Sequence, residues 1–245
     1  MAVDRLFADP RLAELYDVLC RGRPDFSFYL PLVMAAGSVL DVGCGTGELL
    51  RLARQAGHPG RLCGLDPADA MLGQARSRSD IEWVLGDLAS VAWDQEFDLV
   101  VMTGHAFQVL VDDDEIRASL IAIRSALTAD GRFVFETRNP RVRAWEDWTT
   151  ETPVAIARPG RAVVRYSRQV ETPVIGDVVR FTQTFSSPGW DGPKKSSSTL
   201  RFLGEEELSS FLSGAGLGIE EQLGDWDRQP LTDASPEIIT VTRRQ

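Results

Sequence analysis

Three glycines at alternate positions form the stretch of this sequence best suited to binding a ligand. Residues 38–42 are a short apolar run, and Gly43, Gly45 and Gly47 follow it. Glycine suits a turn that needs positive φ angles or brings the backbone close to a ligand, because it has no Cβ. Residues 48–54 then carry apolar side chains at helical spacing. This order of strand, glycine turn and helix directs backbone N–H groups and the positive end of a helix at a bound ligand.

Two carboxylates come at the ends of the next two predicted strands. Residues 61–65 end in Asp66-Pro67, and residues 81–85 are followed by Gly86-Asp87-Leu88. Ligands of open parallel sheets sit at the carboxyl ends of the strands, so we expect both acids at one sheet edge. Asp66 alone is equally consistent with an N-cap, because Pro67 suits the first position of a helix.

The rest of the chain alternates strands with helices, which predicts an α/β fold. Further strands are predicted at 97–102, 132–136, 219–224 and 237–242. Helices are predicted at 12–19, 25–36, 68–78, 116–127 and 204–215. Asp25 is expected to be the N-cap of the second of these helices. An Asp130-Gly131 turn is expected before the strand at 132–136.

The glycine turn resembles motif I of the class I S-adenosylmethionine (SAM)-dependent methyltransferases. That motif is an acidic residue, one spacer and G-x-G-x-G, and here it reads Asp41, Val42 and Gly43-Cys44-Gly45-Thr46-Gly47. The resemblance covers residues 36–136. It implies a seven-stranded, mostly parallel Rossmann-like sheet with helices on both faces. It also implies SAM as cofactor, S-adenosyl-L-homocysteine as product, and no metal.

The resemblance further implies which residues bind the cofactor. Asp66 is expected at the ribose hydroxyls, Met71 on the adenine ring, and Asp87 at the adenine amine. Tyr16 is expected near the methionine end, although it is equally consistent with a half-buried core aromatic. The complete set is Tyr16, Asp41, Gly43, Cys44, Gly45, Gly47, Asp66, Pro67, Met71, Asp87, Leu88 and Thr103.

His105 is the candidate catalytic residue. It follows the fourth predicted strand in the stretch Thr103-Gly104-His105-Ala106, and that strand end faces the transferred methyl group in class I relatives. Histidine is the usual general base near neutral pH. The alternative is a ring that only packs or bonds to the backbone. The stretch lacks the Asn/Asp-Pro-Pro-aromatic pattern of enzymes that methylate base amines and glutamine amides, which disfavours such acceptors.

Composition narrows the class of protein. The chain has 245 residues, 43% hydrophobic and 25% charged, which suits one α/β domain with an insertion. A formal net charge of -10 argues against nucleic acid as a partner. No apolar run is long enough for a membrane span or a signal peptide. Three cysteines and two histidines, without metal-site spacing, predict neither a disulfide framework nor a zinc site and suggest a cytoplasmic location.

Residues 139–203 change to an alternating pattern that predicts an inserted antiparallel β-meander. Its strands are expected at 163–169, 178–185 and 196–203, with turns at 159–160, 175–177 and 188–193. Insertions at this point often form a lid over the substrate in small-molecule methyltransferases. Candidate lid aromatics are Trp145, Trp148, Tyr166 and Trp190, and candidate ligands for an acidic substrate group are Arg138, Arg141, Arg143, Arg165 and Arg168. A solvated sheet face is the alternative.

The predicted organisation has three parts. Residues 1–37 form an N-terminal helical cap, 38–138 and 204–245 form the SAM-binding domain, and 139–203 form the lid. The expected function is methyl transfer from SAM to an oxygen or nitrogen of a small molecule, by a monomer or a homodimer. A SAM-binding regulator without catalysis is one alternative. A nicotinamide-dependent oxidoreductase is another, but its fingerprint is G-x-G-x-x-G. The acidic run at 112–115 suggests either a metal site or, more simply, a helix N-terminus.

Overall fold

The computed structural model describes residues 3–150, 152–157 and 162–245. Its helices are α1 (Arg5–Ala8), α2 (Pro10–Ala13), α3 (Tyr16–Leu19), α4 (Asp25–Ala35), α5 (Glu48–Gln55), α6 (Asp69–Ala75), α7 (Asp113–Ala126) and α8 (Glu205–Gly214). Its strands are β1 (Ser38–Val42), β2 (Arg61–Asp66), β3 (Glu82–Leu85), β4 (Phe97–Met102), β5 (Leu127–Arg138), β6 (Val154–Ile156), β7 (Val164–Val170), β8 (Val178–Ser186), β9 (Lys194–Arg201), β10 (Leu217–Leu223) and β11 (Glu237–Arg244). The turn predicted at 159–160 lies outside the described residues.

Seven strands form the main sheet in the order β10-β11-β5-β4-β1-β2-β3. Strand β11 runs antiparallel to both of its neighbours, and the pairs from β5 to β3 are parallel. Apolar side chains of α7 and α8 cover one face, and those of α4 and α5 cover the other. The central strands are therefore buried on both faces, which explains their continuous apolar runs. The predicted mostly parallel α/β sheet is confirmed.

Three local predictions were wrong. Strand β5 begins at Leu127, five residues earlier than predicted, and Asp130-Gly131 lie within it, in an irregularity between the pairs Phe97–Leu127 and Leu99–Arg132. Helix α6 ends at Ala75, three residues before the predicted end. Asp25 is the first residue of α4 rather than its N-cap, which is Pro24, and its carboxylate accepts from the Arg23 side chain.

The inserted segment forms a separate antiparallel sheet in the order β6-β7-β8-β9. Strand β6 was not predicted, because three residues are too few to show alternation. Trp145 and Trp148 pack against Phe181 and Phe202 at the base of this sheet. These tryptophans therefore belong to a small core of the insertion.

The N-terminal residues form three short helices rather than one amphipathic helix. Leu12 and Leu15 are buried against Val164 and Phe185 of the inserted sheet. The Leu6 backbone N–H donates to Ser196 Oγ across 2.8 Å. On another side the same segment packs on α6. It therefore connects the inserted sheet to the main domain.

Candidate active site

A cavity of about 500 Å³ lies beside the glycine turn, at the carboxyl ends of β1 and β4. Its volume falls within the range of about 300–1,000 Å³ that is typical of small-molecule sites. Helix α3 and the loop that follows it form the opposite wall. The predicted site residues that line it are Tyr16, Asp41, Gly43, Cys44, Gly45 and Thr103.

The glycine turn has a conformation that only glycine adopts without strain. Gly43, Gly45 and Gly47 have φ angles of +73°, +58° and +74°. A Cβ on Gly47 would lie 2.2 Å from Cη2 of Trp83, so the turn also needs the missing side chain for space. The Gly43 backbone N–H donates to the Leu65 carbonyl across 2.8 Å, which fixes the turn to β2. The turn is therefore preorganised for a close approach of ligand to backbone.

Asp41 and Asp66 both lie beside this turn, but they differ in their hydrogen bonding. Asp41 is buried, and its Oδ1 has no hydrogen-bond partner among the described residues. Burial raises the pKa of Asp41 to about 7, although Arg23 opposes the shift. Asp66 instead accepts the backbone N–H groups of Gly45 and Ala68, each across 2.8 Å. Asp41 thus has an unused acceptor beside the cavity, which suits a ligand ammonium group.

The residues predicted to bind the adenine side are not at the wall of this cavity. Asp87 accepts the backbone N–H groups of Ala89 and Ser90, at 3.1 and 3.0 Å. Leu88 is buried in the main core, and Met71 packs beneath Gly45. Three more predicted residues do not line the cavity: Pro67, which is exposed, and Gly47 and Asp66, which are buried. Their roles at the cofactor stay predictions.

His105 is held by two glutamates at the end of β4. Its backbone, at a φ of +62°, donates an N–H to Glu136 Oε1 across 2.7 Å. Its ring Nε2 lies 2.9 Å from Glu237 Oε2, and 18% of the side chain is exposed. Burial, reinforced by Arg138, lowers the pKa of His105 to about 3, and burial raises the pKa of Glu237 to about 7. The contact is therefore a hydrogen bond to a neutral imidazole.

Sequence reasoning missed the buried polar network around this histidine. Arg23 lines the cavity and pairs with Asp25. The Tyr29 hydroxyl donates to Glu136, which is fully buried and whose pKa is raised by that burial. A signal was available for Glu136, because it is a carboxylate within an otherwise apolar predicted strand. Glu237 gave no such signal, because it begins a strand far along the chain.

A side-chain hydrogen bond connects the N-terminal segment to the glycine turn. The Thr46 hydroxyl donates to Asp17 Oδ1 across 2.7 Å. Tyr16, next to Asp17, lies at the cavity wall with its ring edge-on to Phe7. Tyr16 and Asp17 therefore close one side of the cavity, and the role of Tyr16 at the cofactor stays a prediction.

Comparison with known proteins agrees with this geometry. A methyltransferase domain family matches residues 39–131, which include the glycine turn, both acids and β4. The chain belongs to the class I SAM-dependent methyltransferases. The 2-phytyl-1,4-naphtoquinone methyltransferase of Thermosynechococcus vestitus is 36% identical to this methyltransferase over 155 residues, which are 56% of this chain and 66% of that protein.

Two further proteins resemble this methyltransferase over more of its length. The cypemycin N-terminal methyltransferase of a Streptomyces species is 28% identical over 223 residues, covering 85% of this chain and 83% of that protein. SAM-bound CalS10, an amino pentose methyltransferase from Micromonospora echinaspora, superposes with a TM-score of 0.69 at 24% identity. That superposition covers 94% of this chain and 97% of CalS10, so the shared fold includes the inserted segment.

The cofactor of this methyltransferase is SAM, and the residues present fit it. The positive-φ glycines permit close approach, and the unpartnered Asp41 oxygen suits the cofactor's ammonium group. Within the described ranges, no three His, Cys, Asp or Glu side chains are grouped as metal ligands. In the acidic run at 112–115, Asp113 pairs with Arg117 and Arg201 at the start of α7. No helix in the described part of the chain is long and apolar enough to span a membrane.

Proposed function

We propose that this methyltransferase transfers the methyl group of SAM to a nitrogen or oxygen nucleophile of a small molecule, with His105 as the general base. The observation that carries this proposal is the position of His105, whose ring Nε2 lies 2.9 Å from Glu237 Oε2, two residues beyond Thr103 of the cavity wall. The names of the relatives specify a naphthoquinone, an N-terminus and an amino pentose as the groups that they methylate. The first and third support an acceptor of low molecular weight, and the second and third support an amine.

The chain's own residues prepare the acceptor and accept its proton. When bound, SAM supplies an activated methyl group on a sulfonium centre. Above pH 7 Glu237 is ionised and accepts the Nε2–H of His105, which leaves Nδ1 as the proton acceptor. The ionised carboxylate also stabilises the imidazolium, which opposes the loss of basicity that burial causes. Glu136 fixes the backbone of the same residue, so the ring keeps one orientation. Positioning the nucleophile and removing its proton is then the protein's main contribution.

The same proposal assigns a role to each part of the chain. Residues 38–138 and 204–245 hold the cofactor, while residues 1–37 and 139–203 frame the acceptor. The buried contacts of Leu12 and Leu15 with the inserted sheet support this arrangement, because they join the two framing parts. Cys20, Cys44 and Cys63 are free thiols, which supports a reducing cytoplasmic location. The working unit is a monomer or a homodimer.

Turnover tests this proposal. The protein is incubated with SAM and a panel of small amines, alcohols and phenols, and S-adenosylhomocysteine is measured. Product formation that depends on acceptor and falls in His105→Asn supports the proposal. A protein that binds S-adenosylhomocysteine by calorimetry but never turns over favours the non-catalytic regulator. A protein that binds NADH but does not bind SAM would instead support the nicotinamide-dependent oxidoreductase.

A further inference from the structure

Two arginines meet at Trp148, where the end of β5 comes close to the inserted strand β7. The guanidinium carbon of Arg138 lies 4.9 Å from the indole centroid, and that of Arg168 lies 5.3 Å from it. Among the described residues, neither guanidinium has a carboxylate within 4 Å. Two like charges at one aromatic ring, with no carboxylate in ion-pair contact among the described residues, favour an anion at this point, although Glu136 and Glu237 offset part of the charge of Arg138 from a greater distance.

The other candidate arginines of the insertion are exposed, whereas Arg138 and Arg168 are half-buried, and two of the three also have acid partners. Arg141 pairs with Asp233 across 2.8 Å, and Arg143 pairs with Glu146 across 3.1 Å. Arg165 lies on the same strand as Arg168 but is exposed. Structure therefore separates Arg138 and Arg168 from the three arginines that sequence could not distinguish from them.

Both guanidinium groups keep hydrogen-bond donors that no described residue accepts. Arg138 donates from Nη1 to Gln108 Oε1 across 2.9 Å, and Arg168 donates from Nε to the Tyr166 hydroxyl across 2.8 Å. Gln108 is held in this orientation because its Nε2 donates to the Arg201 carbonyl. Contacts with Trp148 and, for Arg168, with Phe181 hold the guanidinium groups in place, so the remaining N–H groups can receive a planar or tetrahedral anion.

This positive site adjoins the proposed reaction centre. Arg138 is the register partner of Glu237, whose carboxyl group holds His105. Burial and the charge of Arg168 lower the pKa of Arg138, whereas Glu237 and Glu136 oppose that shift, so the two arginines repel each other and the two glutamates offset part of the repulsion. A guanidinium does not lose its proton in a protein, and an anion is therefore the ligand that would relieve this repulsion.

We propose that Arg138 and Arg168 together bind an anionic group, a carboxylate or a phosphate, of the methyl acceptor. The preferred substrates are then small acids whose nucleophile lies beside His105. This inference rests on the proposed function, since it assigns the substrate class of that same site. It also makes Arg138 and Arg168 the specificity-determining residues of the acceptor pocket.

Calorimetry with matched probes tests the inference without requiring turnover. The protein is first loaded with S-adenosylhomocysteine and then titrated with benzoate, phenyl phosphate or benzamide. We expect at least one anion to bind about tenfold more tightly than neutral benzamide. Preference for benzoate indicates a carboxylate, and preference for phenyl phosphate indicates a phosphate. Arg138→Gln and Arg168→Gln should each weaken anion binding about tenfold, while Arg165→Gln on the same strand should leave it unchanged.

Several results would overturn the inference. These are equal binding of benzamide and the anions, no anion binding by the wild-type protein at millimolar concentration, and unchanged anion binding in both glutamine variants. Binding of S-adenosylhomocysteine checks the fold of each variant. If Arg168→Gln fails this check, Arg168→Lys replaces it in the test, because lysine keeps the charge and should keep most of the anion binding. Failure of the wild-type protein to bind S-adenosylhomocysteine would instead contradict the proposed function.

Discussion

The glycine turn and the inserted sheet present opposite chemistry to the space between them. The turn offers backbone N–H groups and the carboxylates of Asp41 and Asp66 within a short span of sequence. The inserted sheet and the end of β5 offer guanidinium groups and aromatic rings, Arg138, Arg168 and Trp148, that are brought together from separate segments. In the proposed function, the first region recognises the cofactor by main-chain geometry, and the second recognises the acceptor by side chains.

This contrast explains how one fold can serve many acceptors. A cofactor shared by a whole family is bound by a rigid turn that tolerates no Cβ. An acceptor specific to one protein is bound by side chains on an insertion, which changes without disturbing the main sheet. The comparison predicts that turn variants affect cofactor binding and stability, whereas variants near the insertion affect turnover and the acceptor.

The largest effect is expected for Gly47→Ala. An alanine there would have a left-handed backbone and a Cβ within 2.2 Å of Trp83. The free energy of unfolding should fall by about 2–4 kcal/mol, and binding of S-adenosylhomocysteine should fall below detection. Chemical denaturation and calorimetry measure both. Gly73→Ala is the control, because Gly73 is exposed in α6 with no atom within 4 Å of a Cβ, and it should stabilise by about 0.5–1 kcal/mol.

Replacing the proposed base should reduce turnover without affecting the cofactor. Asparagine tolerates the φ of +62° at position 105, so His105→Asn removes the ring with little backbone strain. We expect kcat to fall about 100-fold while the affinity for S-adenosylhomocysteine stays within twofold. Steady-state kinetics and calorimetry separate the two quantities. Unchanged kcat would show that His105 is not the general base.

Asp41→Asn should separate cofactor affinity from stability. Loss of the carboxylate should weaken binding of S-adenosylhomocysteine about tenfold, because a charge-assisted hydrogen bond to the ammonium group is lost. The free protein should become more stable at pH 8. The folded pKa of about 7 lies above the unfolded value, so the wild type loses stability as pH rises through 7. Thermal melts should therefore show a larger gain for the variant at pH 8 than at pH 5.

The pH dependence of turnover should follow the pair formed by His105 and Glu237. Below pH 7 Glu237 is protonated and donates to Nε2, which places the ring proton on Nδ1 and removes the acceptor. We expect kcat to fall as pH drops below about 7, with one proton taken up. Glu237→Gln should abolish this inflection. An acceptor that does not titrate between pH 5 and 9 is required for the measurement.

The smallest effect is expected where the N-terminal segment meets the turn. Thr46→Val removes the hydroxyl that bonds to Asp17, at a cost of about 1 kcal/mol. We expect S-adenosylhomocysteine to dissociate about fivefold faster, because one side of the cavity is held less firmly. Stopped-flow measurement gives this rate. Thr46→Ser keeps the hydroxyl and should behave as the wild type; equal rates for all three proteins would show that this contact does not retain the cofactor.

Much of the fold was readable because its signals are local. The run before Gly43, the glycines and the acids after β2 and β3 all lie next to the strands that position them. The boundary at Asp130-Gly131 failed because the chain pairs with β4 on both sides of these residues, at Leu127 and again from Arg132, so the irregularity lies inside the strand. The three short N-terminal helices were missed as such, since their apolar residues contact two different partners and do not form one helical face.

The amino-acid sequence by itself determined the sheet, the glycine turn and the cofactor, because these depend on residues that are close along the chain. Tertiary packing alone sets the contact of Glu237 with His105, and it leaves Arg138 and Arg168 at Trp148 without a carboxylate partner among the described residues, whereas Arg141 and Arg143 are paired. Charge balance is a property of three-dimensional neighbourhoods, since an arginine is neutralised by whichever carboxylate the fold brings near it. The spacing of residues along the sequence does not show the distance between an arginine and a carboxylate in the folded protein.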